Sequence, residues 1–437
     1  MRKNLFKKVL ALTLASTMAF SMAGCGSKGG SSDAKNDDGT ITLNVWHQWS
    51  NDTNELKGKY EEAVKAYEKE NPGVKIKTET LDTEAYKTKI NAEFAGDAKG
   101  IDVFYWWGAG TAKKLVDAGK VMALDDYVTD DVKSKILEGS TSAFEFDGKL
   151  YSVPMFSWYM TLFCNKTMFD KAGATLPTTY DELVDAVKKL KKLDGVTPMA
   201  AGAKDGWNAA FVYQALALRE VGATGVNEML SGKKEFGDEG FKKAAQKVSD
   251  LYEMGAFGDN PLEQGNDDAN AAFENGKAAM RLMGSWFANN VYTDDAATIK
   301  PEEVVALKIP TIADGKGEAT DYCGGFVESF WVNNNTKYKE EAAKFCIYIN
   351  EKMGVASYET GSGFSGWTTP ADESNLNPLF IQIKDLLAEG KQGVLAWDTS
   401  LESEPAAVHN EQVQTLFADG ADIDAFIDEH KAAINGK

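Results

Sequence analysis

Arginine is the scarcest charged residue in this 437-residue chain, present only as Arg2, Arg219 and Arg281. Its planar fork is the side chain best shaped for bidentate contact with carboxylate or phosphate, so the shortage disfavours an anionic ligand. Histidine is as scarce, with His47, His409 and His430, and no G-x-S-x-G elbow accompanies them. A serine–histidine–acid nucleophile therefore lacks its parts. No Walker loop, H-E-x-x-H pair or EF-hand loop occurs, and acidic pairs such as Asp267-Asp268 and Asp294-Asp295 read as solvated turns, so no metal or cofactor is expected. Gly361, Gly363 and Gly366 match the dinucleotide fingerprint by letter, but no βαβ unit surrounds them, and Trp367 and Pro370 disfavour the helix that should hold a pyrophosphate. Beyond Cys25 the thiols are Cys164, Cys323 and Cys346, odd in number, without C-x-x-C spacing and in apolar surroundings. They read as buried free thiols rather than a disulfide framework or metal site, with a Cys323–Cys346 pair left open.

What is present begins with a leader. Arg2, Lys3, Lys7 and Lys8 precede an apolar run from Val9 to Phe20, broken by Thr13, Ser16 and Thr17 and too short for a bilayer span. Residues 1 to 24 read as a secretory signal. Ser21-Met-Ala-Gly-Cys25 resembles the lipobox of bacterial lipoproteins, which marks Cys25 for lipidation, and residues 25 to 39 have the Gly, Ser, Lys, Asp and Asn composition of a flexible tether. The full chain carries 47 Lys and Arg against 66 Asp and Glu. Loss of the leader's four basic residues takes the net charge from −19 to about −23. Nucleic acid and anionic membrane surfaces are poor partners on that balance.

From Ile41 onward the pattern is strand 41–46, helix 55–71, strand 74–80, helix 83–93, strand 101–107 and helix 111–118. Such alternation with short loops predicts a parallel sheet with helices on both faces. The chain passes from one lobe to another near Pro154, and a second α/β unit follows, ending in helices over 378–387, 405–417 and 423–434. Tryptophans recur where strands end and helices begin, beside short polar side chains. They are Trp46 and Trp49 with Gln48 and Asn51, Trp106 and Trp107 before Gly108, Trp158 with Tyr159, Trp207 with Asp205 and Asn208, Trp286 with Asn289, Phe364 with Trp367, and Trp397 with Asp398. Neighbours on a strand face opposite ways, so Trp106 and Trp107 cannot share one core. Flat aromatic faces suit the C–H faces of sugar rings, and amides and carboxylates suit their hydroxyls. Any one of these tryptophans reads equally as core; the set together points to a neutral carbohydrate.

With the lipobox at Cys25, the strand ending at Trp46, Ile101-Asp-Val-Phe-Tyr-Trp106, Val153-Pro154, Leu162-Phe-Cys-Asn-Lys166, Ala278-Ala-Met-Arg-Leu-Met-Gly-Ser-Trp286 and Gly324-Gly-Phe326, the chain resembles the carbohydrate-binding solute receptors of ABC transporters, the family that includes maltose-binding protein. The resemblance implies a type II periplasmic-binding-protein-like α/β fold. Its N-terminal lobe would comprise residues 40–154 plus 310–362 and its C-terminal lobe 155–309 plus 363–437, with a ligand cleft between them and hinge crossings. It places Gln48, Trp106, Trp207 and Trp286 at the sugar, with Trp46 nearby. The wider candidate set is Trp46, Gln48, Trp49, Asn51, Trp106, Trp107, Trp158, Tyr159, Asp205, Trp207, Trp286, Phe326, Phe364 and Trp367. Where the maltose-binding pattern has a cleft carboxylate this chain has Trp158, so the ligand need not be maltose. The expected partners are an oligosaccharide, the transmembrane subunits of an ABC permease and a bacterial membrane reached through the lipid, with the protein monomeric, non-enzymatic and outside the cell. The alternatives are an extracellular glycoside hydrolase, which needs two positioned acids, and the same fold binding a polyamine.

Overall fold

The computed structural model describes residues 39–51, 54–293 and 297–436. Cys25 and the leader lie outside the described residues. Three parallel-ordered strands start the first lobe: β1 (Ile41–His47), β2 (Val74–Thr80) and β3 (Val103–Trp107). Helix α1 (Glu55–Glu70) links β1 to β2, and α2 (Thr83–Ala95) links β2 to β3; α3 (Ala109–Asp117) follows β3. Asn54 and Asp82 start α1 and α2 by accepting from the backbone of Leu56 and Ala85, which satisfies donors the first turn would leave unpaired. A short hairpin of β4 (Glu145–Phe146) and β5 (Lys149–Leu150) turns at Asp147-Gly148 before the chain leaves the lobe.

The second lobe is built on β6 (Phe156–Asn165), which pairs with β8 (Ala278–Gly284), β9 (Val304–Leu307), β10 (Asp321–Phe326) and β12 (Phe364–Ser365); β7 (Thr197–Ala200) and β13 (Gln392–Val394) complete its seven-stranded sheet. The chain returns to the first lobe as β11 (Glu328–Val332), antiparallel to β3, giving the order β11-β3-β1-β2. Each sheet has its own hydrophobic core, one around Leu43, Tyr105, Phe330 and Phe345, the other around Phe163, Tyr213, Met280 and Trp397. Two lobes follow from two cores.

The lobe boundaries differ from those read in the sequence. Residues 310–327 do not rejoin the first lobe: β10 pairs with β6 and β13, and Cys323 and Val327 pack in the second core. The run 326–332 has uniform strand character, yet it spans two sheets and divides at Val327. Gly324 permits this course, because it adopts φ +136° and a Cβ there would run into the Trp158 carbonyl of β6. The final transfer also comes later than residue 363, since Trp367 is still in the first core and Leu376 is the next residue in the second. The glycine-rich stretch 361–366 is thus part of a crossing.

The three crossings are bonded to one another. Met155 N–H donates to the Glu328 carbonyl (3.2 Å) and Gly366 N–H to the Met155 carbonyl (3.0 Å). Beneath them Ser329 Oγ donates to the Val153 carbonyl (2.6 Å), and Asn350 clamps Phe330 through both its amide atoms. Cys164, Cys323 and Cys346 are all buried and free, with Cys323 in the second core and Cys346 in the first. Among the described residues, no helix is long and apolar enough to cross a membrane.

Candidate functional site

Strand alternation sends the two tryptophans at the end of β3 in opposite directions. Trp106 is buried, with its ring 6.5 Å from Tyr86, and Trp107 is half-buried and packs against both cores. Trp107 is therefore a residue of the junction between the lobes. Its indole is held edge-on by Tyr105 (centroids 5.2 Å, 85°) and lies beside Glu328, its partner in the β3–β11 register, whose carboxyl accepts from the Tyr105 hydroxyl. Burial pushes the Glu328 carboxyl up to about 7, against the pull of Tyr105, Trp107 and Lys87.

The second lobe answers with four aromatics. Trp158 stacks on Phe211 (5.4 Å, 27°) and meets Trp286 edge-on (5.0 Å, 82°), and Trp207 stands against Phe211 (5.3 Å). The Trp286 ring folds back over Gly284, where a Cβ would collide with it. Trp207 heads the Gly206–Leu230 helix, and that end is set by Arg281 of β8. The guanidinium, fully buried, donates to Asn208 Oδ1 (2.8 Å), Asn266 Oδ1 (3.1 Å), Asn270 Oδ1 (3.1 Å) and the carbonyls of Ala200 and Ala201. Arg281 is thus spent on positioning, and Arg219 likewise on the carbonyls of Ile309, Glu318 and Asp321. Neither is available to an anion.

One side chain joins the two aromatic sets. Lys87 of α2 places Nζ 5.2 Å from the Trp107 ring and 5.8 Å from the Trp207 ring, one on each lobe. It is also the cation nearest in effect to Glu328 and to Asp398, whose carboxyl burial raises. Among the described residues four buried polar side-chain atoms find no partner in the protein: His47 Nε2 and Gln48 Oε1 at the end of β1, and Trp207 Nε1 and Asn410 Oδ1 on the second-lobe side of the slot. Asn410 sits against Gly206, beside Trp207. Buried polar atoms are nearly always hydrogen-bonded, so the donor left open on Trp207 and the acceptor left open on Asn410 mark where a hydroxyl-bearing ligand would bond. Among the described residues, no group of three or more His, Cys, Asp or Glu is arranged to hold a metal.

The model of the bacterial extracellular solute-binding protein family matches residues 50–355. The chain belongs to that family. As a solute-binding protein it is 24% identical over 368 residues to the multiple sugar-binding protein of Streptococcus mutans, spanning 81% of this chain and 80% of that one. A solved structure from work on xylan utilization by the thermophilic bacterium Caldanaerobius polysaccharolyticus is 36% identical, covers 90% of this chain and all of its own, and superposes with a TM-score of 0.86. A chitin oligosaccharide binding protein shares the fold at 22% identity and TM-score 0.82, covering 91% and 98%.

Within this solute-binding protein the sequence-predicted residues divide. Trp158, Trp207 and Trp286 cluster in the second lobe, Lys87 joins Trp207 to Trp107 of the first, and Gln48, at the end of β1, keeps a buried oxygen without a partner. Trp46 and Trp49 are buried in the first lobe, Trp46 under Lys89 (5.1 Å) and Trp49 among His47, Tyr60, Tyr105 and Phe330. Trp106 is enclosed as described, and Asn51 is exposed beside residues outside the described set. Tyr159 points away from Trp158 and joins Tyr322 and Phe364 (both 5.3 Å). Phe326 and Trp367 belong to the crossings: Phe326 lies beside Gly366, and Trp367 donates to the Pro154 carbonyl (2.7 Å). The Asp205 carboxylate accepts from Asn266 N–H (2.6 Å), capping a neighbouring helix. The reading of the sequence missed Lys87, Glu328 and Asn410. Glu328 had a signal, a lone carboxylate in an apolar strand; Lys87 had none, since it pairs with Glu84 (3.0 Å) as any exposed helix lysine would.

Acid sensitivity follows from the histidines. In the second core Gln214 donates to His409 Nε2 (3.0 Å), His409 Nδ1 lies 2.9 Å from His430 Nε2, and His430 Nδ1 donates to the Phe426 carbonyl (2.8 Å), a chain that holds both rings neutral. Burial lowers His430 to about 4, His47 to about 3, the latter helped by Lys57, and His409 well below its usual value. A base depressed in the folded state binds fewer protons folded than unfolded, so its contribution is intact above pH 6.5 and lost as pH falls toward 4. Each tenfold change in proton affinity is worth roughly 1.4 kcal/mol. The unfolding midpoint is expected to drop steadily from pH 7 to pH 4.5 in a thermal melt. Glu328 has the opposite sign over the same range, so Glu328→Gln should steepen the drop; a flat profile in both proteins would refute this account.

Proposed function

We propose that this solute-binding protein is the extracellular receptor of an ABC sugar importer, lipid-anchored through Cys25 to the outer face of a bacterial cell membrane, and that its solute is a neutral oligosaccharide. The observation that carries the reading is the slot between Trp107 and Trp207, one tryptophan per lobe, with the unpartnered Trp207 Nε1 and, against the neighbouring Gly206, Asn410 Oδ1. Aromatic faces and neutral hydrogen-bonding atoms are what pyranose rings require. The cleft charges are Lys87 set against Glu328 and Asp398, which leaves nothing to attract an anion. A polyamine would have to compete with a lysine already held over both rings. Hydrolysis is disfavoured because the Glu328 carboxyl is engaged by the Tyr105 hydroxyl rather than free to act on a bond. Xylan-derived oligosaccharides are the first candidates, from the 36% identity to the Caldanaerobius polysaccharolyticus structure. The protein works as a monomer that closes on the sugar and presents the closed form to the permease, the ligand favouring closure by its differential affinity.

A thermal-shift series with xylo-, chito- and malto-oligosaccharides, with spermidine and a sugar phosphate as controls, tests the reading. A ligand at one hundred times its dissociation constant should stabilise by about 2.7 kcal/mol. Stabilisation by one neutral series, with no cleavage products after overnight incubation, is expected. Stabilisation by spermidine alone, or release of shorter sugars, would refute it.

A further inference from the structure

The position of Lys87 carries a consequence for how the cleft behaves without sugar. Its ammonium stands within cation–π range of two tryptophans that belong to different lobes, at 5.2 Å from Trp107 and 5.8 Å from Trp207. Those are the faces on which a sugar ring would stack, and they cannot hold a pyranose and an ammonium together. We propose that Lys87 is the resident of the sugar slot: it latches the lobes together in the unliganded protein, and the sugar binds by displacing it.

The surroundings supply both halves of that exchange. The Lys87 side chain is 29% exposed, so it is free to swing outward. Glu84, one turn earlier on α2 and more exposed still, already contacts Nζ at 3.0 Å and can keep the ammonium paired once it leaves the rings. The incoming sugar takes over the two aromatic faces and bonds Trp207 Nε1 and Asn410 Oδ1, which Lys87 leaves unpaired. A latch of this kind lowers apparent affinity by the fraction of molecules it holds, and lets only ligands that replace both stacking contacts open the slot. The displacement half rests on the sugar-receptor reading above; the latch half does not.

The test uses the whole protein with Lys87→Met, which keeps length and removes charge, and Lys87→Arg, which keeps a cation able to stack on tryptophan. Small-angle scattering without ligand is expected to give a larger radius of gyration for Lys87→Met than for wild type or Lys87→Arg, with far-UV circular dichroism unchanged. Calorimetric titration with the oligosaccharide that stabilises the wild type should show Lys87→Met binding about five- to thirty-fold more tightly, the range set by losing two cation–π contacts. An unchanged radius of gyration in Lys87→Met overturns the latch. A dissociation constant for Lys87→Met that is equal to or weaker than wild type overturns the displacement and makes Lys87 an ordinary sugar contact. If no oligosaccharide binds any variant, the receptor reading fails, and scattering alone decides the latch.

Discussion

Trp207→Ala is expected to weaken oligosaccharide binding by roughly 2 to 4 kcal/mol, about thirty- to a thousand-fold in the dissociation constant, the range for a central aromatic anchor. The magnitude has two sources. Trp207 contributes one of the two faces of the slot, and its Nε1–H has no acceptor in the protein, so a bound ligand gains both a stacking surface and a hydrogen bond there. Its ring is half-buried at the start of a helix, and Asn208, Asn266 and Arg281 hold that helix end without it. Stability should therefore change little. Trp158→Ala is the contrast: Trp158 is buried between Phe211 and Trp286, and its removal should lower the unfolding free energy by roughly 3 to 5 kcal/mol. Equal dissociation constants for Trp207→Ala and wild type would remove Trp207 from the site.

A substitution far from any sugar contact should act almost as strongly. Gly110, in the first turn of α3, lies against the second lobe so closely that a Cβ would fall on the carbonyl oxygens of Ser400 and Leu401. The next residue, Thr111, directs Oγ1 to the carbonyls of Asp398 (3.3 Å) and Thr399 (3.4 Å), and Lys113 approaches Glu402 (3.8 Å). This turn is the seat on which the second lobe rests. Gly110→Val puts branched bulk into backbone, which cannot yield as a side chain would. Overpacking of this kind costs roughly 1 to 3 kcal/mol, and here the lobes can escape the cost by separating. The expected result is a five- to hundred-fold weaker dissociation constant, in line with that cost, with an expanded radius of gyration and a nearly unchanged ligand-free melting midpoint. Normal affinity at a normal radius would show that α3 is no part of closure.

How much of this was legible in the sequence depended on whether the signal was local. Strands delivering tryptophans at their ends, the alternation that separates Trp106 from Trp107, and the amide-rich turns near Trp207 and Trp286 are all properties of a few consecutive residues. Trp46 and Trp49 carry the same local pattern and lie in the first core, because which side of a strand end faces the other lobe is decided by packing hundreds of residues away. Lys87 is the clearest loss. On α2 it is one lysine in an amphipathic helix, and only the arrival of Trp207, 120 positions later, makes it a site residue. The division of 326–332 at Val327 was hidden for a related reason: both halves are strands, and nothing in their composition says that they enter different sheets.

The bonds among the crossings give closure a particular mechanical character. Because the backbone of Met155 is tied to Glu328 on one side and to Gly366 on the other, bending one connection alone strains a bond to its neighbour, worth about 0.5–1.5 kcal/mol. Moving the three together keeps both bonds, which favours a shared pivot over independent twist. Glu328 belongs to the crossings through its carbonyl and to the sugar slot through its carboxyl. The residue that stands opposite Trp107 in the β3–β11 register is thus also bonded into the crossings, which ties the seat of the Trp107 ring to the place where the lobes join.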